Sequence, residues 1–291
     1  MHKYPQTHAQ IPLKHTHKYP SHTRTTNPHT HAQIPLTHAQ LTLTHIECVK
    51  CLLFHLISVI TARMILCVRC WCNVDFNLRF IGEESSAAGV KCELTDHPTW
   101  IIDPIDGTCN FVHSFPMVAV SIGFAVRREL ELGVIYHCFD GTLYTARRGH
   151  GAFCNGVRLQ VSKEKDVSKA LILTEIGAKR DPATLDIFLG NMKKMLSAPT
   201  HGVRIIGSST LALCHIASGA AEAYYQYGLH CWDIAAAAVI IREAGGHVMD
   251  TTGGPLDLMS RRVVAAGTRQ IADYVVKQLH PINYGRDDTD P

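Results

Sequence analysis

Residues 100–111, WIIDPIDGTCNF, place two aspartates three positions apart directly after an apolar run. The apolar run predicts the end of a buried strand, which Pro104 is expected to stop and Gly107 to turn. Two carboxylates held this close together repel each other unless a positive charge lies between them, and hard divalent cations with oxygen ligands commonly supply it. Asp103 and Asp106 therefore form either a metal-binding pair or a capped turn whose two acids are solvated.

The composition describes a globular protein with an unusual N-terminal part. At 291 residues and 46% hydrophobic content, the sequence is sufficient for one large domain or two small ones. Residues 1–79 contain eight Lys and Arg against two acids, whereas residues 80–291 contain 20 Lys and Arg against 23 acids, a net charge of −3. This mild acidity argues against nucleic acid as a partner, because duplex binding requires a basic face.

The N-terminal part divides into two segments. Residues 1–45 are rich in histidine and repeat the heptapeptide THAQIPL, and their lack of apolar periodicity predicts disorder. Residues 46–79 are apolar and rich in cysteine, with CxxC pairs at 48–51 and 67–70 that have zinc-ribbon spacing. The stretch between the pairs lacks the glycines and turns that close two knuckles around zinc, which favours a buried helix or strand.

Cysteine usage and hydropathy predict a cytoplasmic protein without a membrane span. The 11 cysteines are scattered, and no charged start with an apolar core and a cleavage site follows Met1. The apolar stretch 52–66 is interrupted by His55 and Arg63, which makes it too short and too polar to cross a bilayer.

Residues 80–291 alternate between apolar runs and segments of helical spacing, which predicts an α/β domain. Strands are predicted at 115–126, 130–139, 170–176, 247–250 and 263–267, with a hairpin at 141–156. Helices are predicted at 182–196, 208–225, 233–246 and 268–280. Serines suited to an N-cap open the second of these helices, and Asp233 opens the third.

Three acidic motifs stand out in this domain. GEES supplies Glu83 and Glu84, DPIDGT supplies Asp103 and Asp106, and HCWDIAAAA supplies Asp233. Separately they are typical of a solvated loop, a capped turn and a helix N-cap. Together they form an oxygen-rich set suited to magnesium, and zinc is less apt because their ligand positions hold neither histidine nor cysteine.

The residues after the paired aspartates add an anion site if a helix begins there. The free amides of Gly107, Thr108 and Cys109 would then face a phosphate, as helix N-termini commonly do. A metal site, backbone amides and a nearby hydroxyl together are typical of enzymes that hydrolyse phosphate esters. In such sites, two cations about 3.5–4 Å apart activate water and stabilise the leaving oxygen.

With FIGEES, DPIDGTCNF and WDIAAAAVIIREAGG in that order, the chain resembles the inositol monophosphatases, a family of magnesium-dependent, lithium-sensitive phosphatases. The resemblance runs from about Phe80 to the C-terminus and is closest to the animal enzymes. It implies a layered αβαβα sandwich, a homodimer, and hydrolysis of inositol monophosphates to inositol and phosphate. The alternative is a catalytically impaired relative that keeps the fold and acts by association with active subunits; a zinc-ribbon adaptor in residues 48–72 is a third hypothesis.

The resemblance also implies roles for individual residues. Glu83, Asp103 and the Ile105 carbonyl would bind one Mg²⁺, and Asp103, Asp106 and Asp233 a second. Glu83, Asp103 and Thr108 would be catalytic, with Thr108 and Glu83 orienting the attacking water. The residues implied to contact the substrate are Ile105, Asp106, Gly107, Thr108, Gly207, Ser208, Ser209, Gln226 and Asp233, with the amides of Gly107 and Thr108 on the phosphate.

The sequence departs from the family pattern in three places. Cys109 occupies the position of a second threonine, which costs little if only its amide matters. Gln226 occupies the position of a glutamate that binds ring hydroxyls. The N-terminal helical hairpin of the family, which supplies a lysine and an aspartate near an optional metal site, has no match in residues 1–79, and Asp75 lies too close to GEES to replace that aspartate.

Overall fold

The computed structural model describes residues 78–87, 89–198 and 200–289. The predictions of disorder in residues 1–45, of a cysteine-rich segment with two CxxC pairs, and of a missing helical hairpin fall almost wholly outside these residues. Within the described ranges, no helix combines the length and the apolar character needed to cross a membrane.

The first sheet has seven strands among the described residues, and their spatial order follows the chain. The first two strands pair in parallel, and each later neighbouring pair is antiparallel. The strands are β1 (Arg79–Gly82), β2 (Thr99–Asp106), β3 (Ala119–Val126), β4 (Glu129–His137), β5 (Leu143–Arg147), β6 (Gly151–Cys154) and β7 (Val157–Arg158).

A second sheet of five strands is formed by the described residues. The strands are β8 (Leu171–Thr174), β9 (Gly202–Arg204), β10 (Ala223–Tyr227), β11 (His247–Met249) and β12 (Arg262–Ala266). Their order in the sheet is β11-β12-β10-β8-β9. Strands β8, β9 and β10 are parallel, whereas β12 pairs antiparallel with both of its neighbours.

Six α-helices lie within the described residues. They are α1 (Glu83–Ala87), α2 (Thr108–Val112), α3 (Pro182–Ser197), α4 (Ser209–Ala217), α5 (Cys231–Glu243) and α6 (Arg269–Gln278). The start of α3 is fixed by Asp181, whose side chain accepts a hydrogen bond from the amide of Thr184, with Pro182 at the first helical position. In the same way, Ser208 caps α4 by accepting from the amide of Leu211.

Helix α5 lies unusually close to the first sheet. A Cβ atom added at Gly133 would lie 2.3 Å from the carbonyl oxygen of Ala236, and one added at Gly123 would lie 2.8 Å from the Cβ of Ala235. Only glycine on the strands, opposite alanine on the helix, permits this approach. The alanine run of α5 is therefore the surface that docks the helix on the sheet.

The layers follow from the apolar clusters. One large core joins the inner face of the first sheet, helices α4 and α5, and the second sheet. A second cluster packs α6 against the other face of the second sheet through Ile271 and Val275, and α3 lies beside α6 and β9. The described residues thus form the β, α, β and α layers of a sandwich, which confirms the predicted α/β class.

The prediction that Pro104 ends the strand is wrong, because β2 continues to Asp106. Asp103 pairs with Ser121 and Asp106 with Ala119, so β2 holds one residue more than β3 between these two pairs. The missing N–H of proline is tolerated at such a bulge, since the extra residue is not part of the regular hydrogen-bond ladder.

Two other boundaries also differ from the prediction. Residues 208–225 are not one helix, because α4 ends at Ala217 and the residues from Ala223 form the strand β10, whose five residues are all buried. Glu83 and Glu84 open the short helix α1 rather than lying in a loop.

Candidate active site

Asp103 and Asp106 lie on either side of the bulge at the end of β2. Both side chains are nearly inaccessible, with 2% and 4% relative exposure. Oδ1 of Asp103 accepts the amide of Ile105 at 2.9 Å, which fixes this carboxylate on its own strand. The extra residue in β2 thus turns two acids three positions apart toward the same buried region.

Asp233 reaches this region from the third position of α5. Its Oδ2 accepts the amide of His230, the residue that caps the helix, at 2.8 Å. The hydroxyl of Ser121 on β3 donates to the carbonyl of Trp232 at 3.1 Å and ties the start of α5 to the first sheet. The sequence prediction placed Asp233 at the N-cap, whereas in the structure it completes a capping box from inside the helix.

The three carboxylates converge. Asp103, Asp106 and Asp233 each offer an oxygen, and these oxygens all lie within 4.8 Å of one another. Burial, followed by the charges of Asp106, Asp233 and Glu83, raises the pKa of Asp103 well above its usual range. Burial and the charge of Asp106 raise the pKa of Asp233 to about 7, although the His230 amide opposes the shift. Without added positive charge, the folded protein therefore resists full ionisation of this cluster.

The cluster fits a hard divalent cation. Its donors are carboxylate oxygens of two buried residues and one partly buried residue, already close together, and a cation between them would relieve the repulsion that raises their pKa values. Glu83 lies at the same edge of the sheet, because β1 is parallel to β2 with Gly82 opposite Ile102. Its charge acts on both Asp103 and Asp233.

A short helix begins directly after Asp106, as the anion-site hypothesis required. Gly107 caps α2 with φ of 82°, and a Cβ atom there would lie 2.6 Å from the carbonyl oxygen of Met117. Glycine is therefore required at this position. The hydroxyl of Thr108 donates to the carbonyl of Ile105 at 3.0 Å, while the Cys109 side chain is exposed.

The two serines at the start of α4 contact the cluster through Asp106. The Ser208 hydroxyl donates to Oδ2 of Asp106 and the Ser209 hydroxyl to Oδ1 at 2.9 Å. The amide of Thr210 adds a third donor to Oδ2 at 3.2 Å. These contacts oppose the effect of burial on the pKa of Asp106, which is nevertheless raised. The serines thus hold Asp106 in one orientation.

Gln226 lies on β10, where it is buried and accepts a hydrogen bond from the hydroxyl of Tyr224. Burial raises the pKa of Tyr224 well above its usual range, and the charges of Glu175, Asp106 and Asp233 act in the same direction. Tyr224 therefore contacts Gln226 and also feels the charge of the acidic cluster. The contact of Gln226 with a substrate ring stays a prediction.

Two residues that the sequence prediction missed hold the loop before Ser208. One carboxylate oxygen of Glu175 accepts the amides of Ile206 and Gly207, each at 2.9 Å. Asn110 donates to the carbonyls of Ile206 and Met117, each at 2.9 Å. Glu175 directly follows the apolar strand β8, as Glu83 follows β1. This pattern of an acid directly after a strand could have identified Glu175 from the sequence.

Comparison with known families decides the identity of this arrangement. The model of the inositol monophosphatase family matches residues 73–284. The chain belongs to the inositol monophosphatase family. Inositol monophosphatase 2 of Homo sapiens is 73% identical over 210 residues, which cover 72% of this chain and 73% of that protein. Inositol monophosphatase 1 of Homo sapiens is 57% identical over 211 residues, covering 72% and 76%.

The fold agrees with this family. The solved structure of an inositol monophosphatase from Anabaena (Nostoc) sp. PCC 7120 matches with a TM-score of 0.63 and 32% identity, covering 69% of this chain and 78% of that one. The Thermotoga maritima IMPase TM1415 matches with a TM-score of 0.61 and 30% identity, covering 75% and 79%. The resemblance carried by the three motifs is therefore confirmed.

Proposed function

We propose that this inositol monophosphatase family member hydrolyses inositol monophosphates to inositol and phosphate, with Mg²⁺ as its cofactor. The observation that carries the proposal is the convergence of Asp103, Asp106 and Asp233, whose oxygens lie within 4.8 Å of one another beside the start of α2. The names of the relatives, inositol monophosphatase 1 and 2, support the substrate class.

The residues that would hold the metal are all oxygen donors. Glu83, Asp103 and the carbonyl of Ile105 would bind one ion, and Asp103, Asp106 and Asp233 a second. When bound, such a pair of cations activates water and neutralises charge on the phosphate and the leaving oxygen.

Thr108 is suited to orient the attacking water. Its hydroxyl proton is already donated to the Ile105 carbonyl at 3.0 Å, so the remaining lone pairs of the oxygen are acceptors. A water beside Thr108 would therefore donate one proton to this oxygen, which leaves a lone pair on the water oxygen free to attack the phosphate. Glu83 would accept the other proton of the same water.

The substrate would be held by amides on one side and by side chains on the other. The amides of Gly107 and Thr108 at the start of α2 would bind the phosphate. Asp106, Gly207, Ser208, Ser209, Gln226 and Asp233 would line the ring, with the Ile105 backbone at the reacting end. By family resemblance and cysteine usage, the protein would act as a cytoplasmic homodimer.

The test measures phosphate release by the full purified chain from inositol 1-phosphate. Activity should require Mg²⁺ and fall when lithium is added, and Asp103→Asn should abolish it. Asp140→Asn, at an exposed acid on a surface turn, is the matched control and should retain it. Absence of release by the parent, together with binding to an active relative, would instead favour the catalytically impaired alternative.

A further inference from the structure

A second side-chain cluster lies at the start of α5, apart from the three carboxylates. The sulfurs of Cys92 and Cys231 are 3.6 Å apart, and a carboxylate oxygen of Asp287 lies within 4.8 Å of both. Cys231 is the first residue of α5, Cys92 follows α1, and Asp287 belongs to the C-terminal segment. Three separate parts of the chain therefore meet at one point.

We propose that Cys92, Cys231 and Asp287 bind one divalent ion of the zinc class. Two thiolates on a tetrahedral zinc, each about 2.3 Å from the metal, lie about 3.8 Å apart. The observed 3.6 Å between the sulfurs is close to this value. A disulfide requires about 2.05 Å between sulfurs, so the pair would have to move to form that bond but not to share a metal.

The surroundings of Asp287 suit a metal ligand. Its Oδ2 accepts the amide of Cys231 at 2.8 Å, and its Oδ1 lies 2.7 Å from Nδ1 of His230. Hydrogen bonds of this kind orient a ligating carboxylate, which keeps further lone pairs for the metal. The Asp287 side chain is 3% exposed, so the carboxylate is fixed as well as buried.

Charge also balances at this cluster. Two thiolates, one carboxylate and a divalent ion carry a net charge of −1. The guanidinium of Arg261 lies 3.6 Å from Oδ1 of Asp287 and 3.0 Å from Nε2 of His230, so it supplies the compensating charge. A buried ionic group needs this compensation to be retained.

The cluster is reached from solvent. A cavity of about 490 Å³ is lined by Cys92, His230, Trp232 and Asp287 among others. It provides an entry path for the ion and room for a water as the fourth ligand. The bound ion would join the segment after α1 and the C-terminal segment to the first turn of α5, two residues before Asp233.

The test uses Co²⁺ as the probe, because thiolate ligands give a charge-transfer band that oxygen ligands do not. The chain is reduced, freed of metal, and titrated in a background in which Cys48, Cys51, Cys67 and Cys70 are serine. One equivalent of Co²⁺ should give the band, and Zn²⁺ should displace it. Cys92→Ser should remove the band, and Asp287→Asn should weaken Co²⁺ binding about tenfold or more.

Cys154→Ser is the matched control, since Cys154 is a partly exposed thiol on β6, and it should leave the band unchanged. Thermal unfolding monitored by circular dichroism shows whether each variant is folded. If Cys92→Ser does not fold, the Co²⁺ titration of Asp287→Asn decides the result. A band that survives both variants overturns the proposal. So does the absence of the band when the reduced parent is titrated with one equivalent of Co²⁺.

Discussion

The first turn of α5 contributes to two clusters of opposite chemistry. Cys231 lies with Cys92 and Asp287, whereas Asp233 lies with Asp103 and Asp106. Two positions along a helix correspond to a rotation of about 200°, so Cys231 and Asp233 lie on opposite sides of the same turn. One cluster offers soft thiolates and suits zinc; the other offers only hard oxygens and suits magnesium. The two clusters share one helical turn, so the type of donor atom, rather than the position in the fold, determines which metal each would bind.

The largest difference in response between the two clusters is expected from Asp103→Asn. It removes a charge where both proposed Mg²⁺ ions meet, so phosphate release should fall about a thousandfold or more, which corresponds to about 4 kcal/mol of transition-state stabilisation. The Co²⁺ band of the thiol cluster should keep its intensity in the same variant. Turnover within tenfold of the parent would contradict the proposed metal role of Asp103.

The acidity of the carboxylate cluster should appear as a pH-dependent stability in chelator. The pKa of Asp233 in the folded protein is about 7, above its unfolded value of about 3.9. Its contribution is therefore complete below about pH 4 and is lost as pH rises through about 7. We expect the Tm of metal-free protein to fall across this window by several degrees, and Mg²⁺ to raise Tm most at its upper end.

Asp233→Asn identifies the source of that slope. The variant should have a flatter dependence of Tm on pH in chelator and a smaller response to Mg²⁺, while Asp186→Asn, at an exposed acid on α3, should match the parent. Equal Mg²⁺ shifts at both ends of the window would mean that ionisation of the cluster is not linked to metal binding.

We expect Glu175 to position the carboxylate cluster indirectly, through the loop that it holds before Ser208. Glu175→Met leaves the amides of Ile206 and Gly207 without their acceptor, which costs about 1–3 kcal/mol and loosens the serines that hold Asp106. The kcat should fall about ten- to a hundredfold, since small misplacements have large kinetic effects.

Glu175→Gln is the conservative control, because its carbonyl oxygen still accepts both amides. Burial raises the pKa of Glu175 to about 7, so a neutral side chain resembles a form that the parent already adopts. The variant should retain most of the kcat, with little change in KM. If Gln were as damaging as Met, the charge of Glu175 would matter rather than the loop that it holds.

The difference between the two clusters also explains what the sequence could predict. Asp103, Asp106 and Asp233 belong to local motifs, and the family resemblance joined them before any contact was known. Cys92, Cys231 and Asp287 are far apart in sequence, with the two cysteines separated by 139 positions, and no motif spacing connects them. Contacts of this kind arise from the packing of three segments and have no local sequence pattern.

The errors in secondary structure have similar causes. Pro104 normally ends a strand, but the bulge between Asp103 and Asp106 removes the need for its N–H. The strand β10 was hidden because its five residues are buried on both faces, so they show no alternation that separates them from the end of a helix. In both cases, the tertiary environment overrides a local rule.

The smallest expected effect concerns Gln226, whose side chain accepts a hydrogen bond from Tyr224. A glutamate there could still accept the Tyr224 hydroxyl and would add a charge-assisted hydrogen bond to a ring hydroxyl. Charged and neutral hydrogen bonds differ by about 1 kcal/mol, so Gln226→Glu should raise kcat/KM for inositol 1-phosphate about five- to tenfold. Hydrolysis of an aryl phosphate should scarcely change, because that substrate offers no ring hydroxyl. An equal response of both substrates would show that residue 226 acts on the metals through Tyr224, and no response would show that it does not contact the ring.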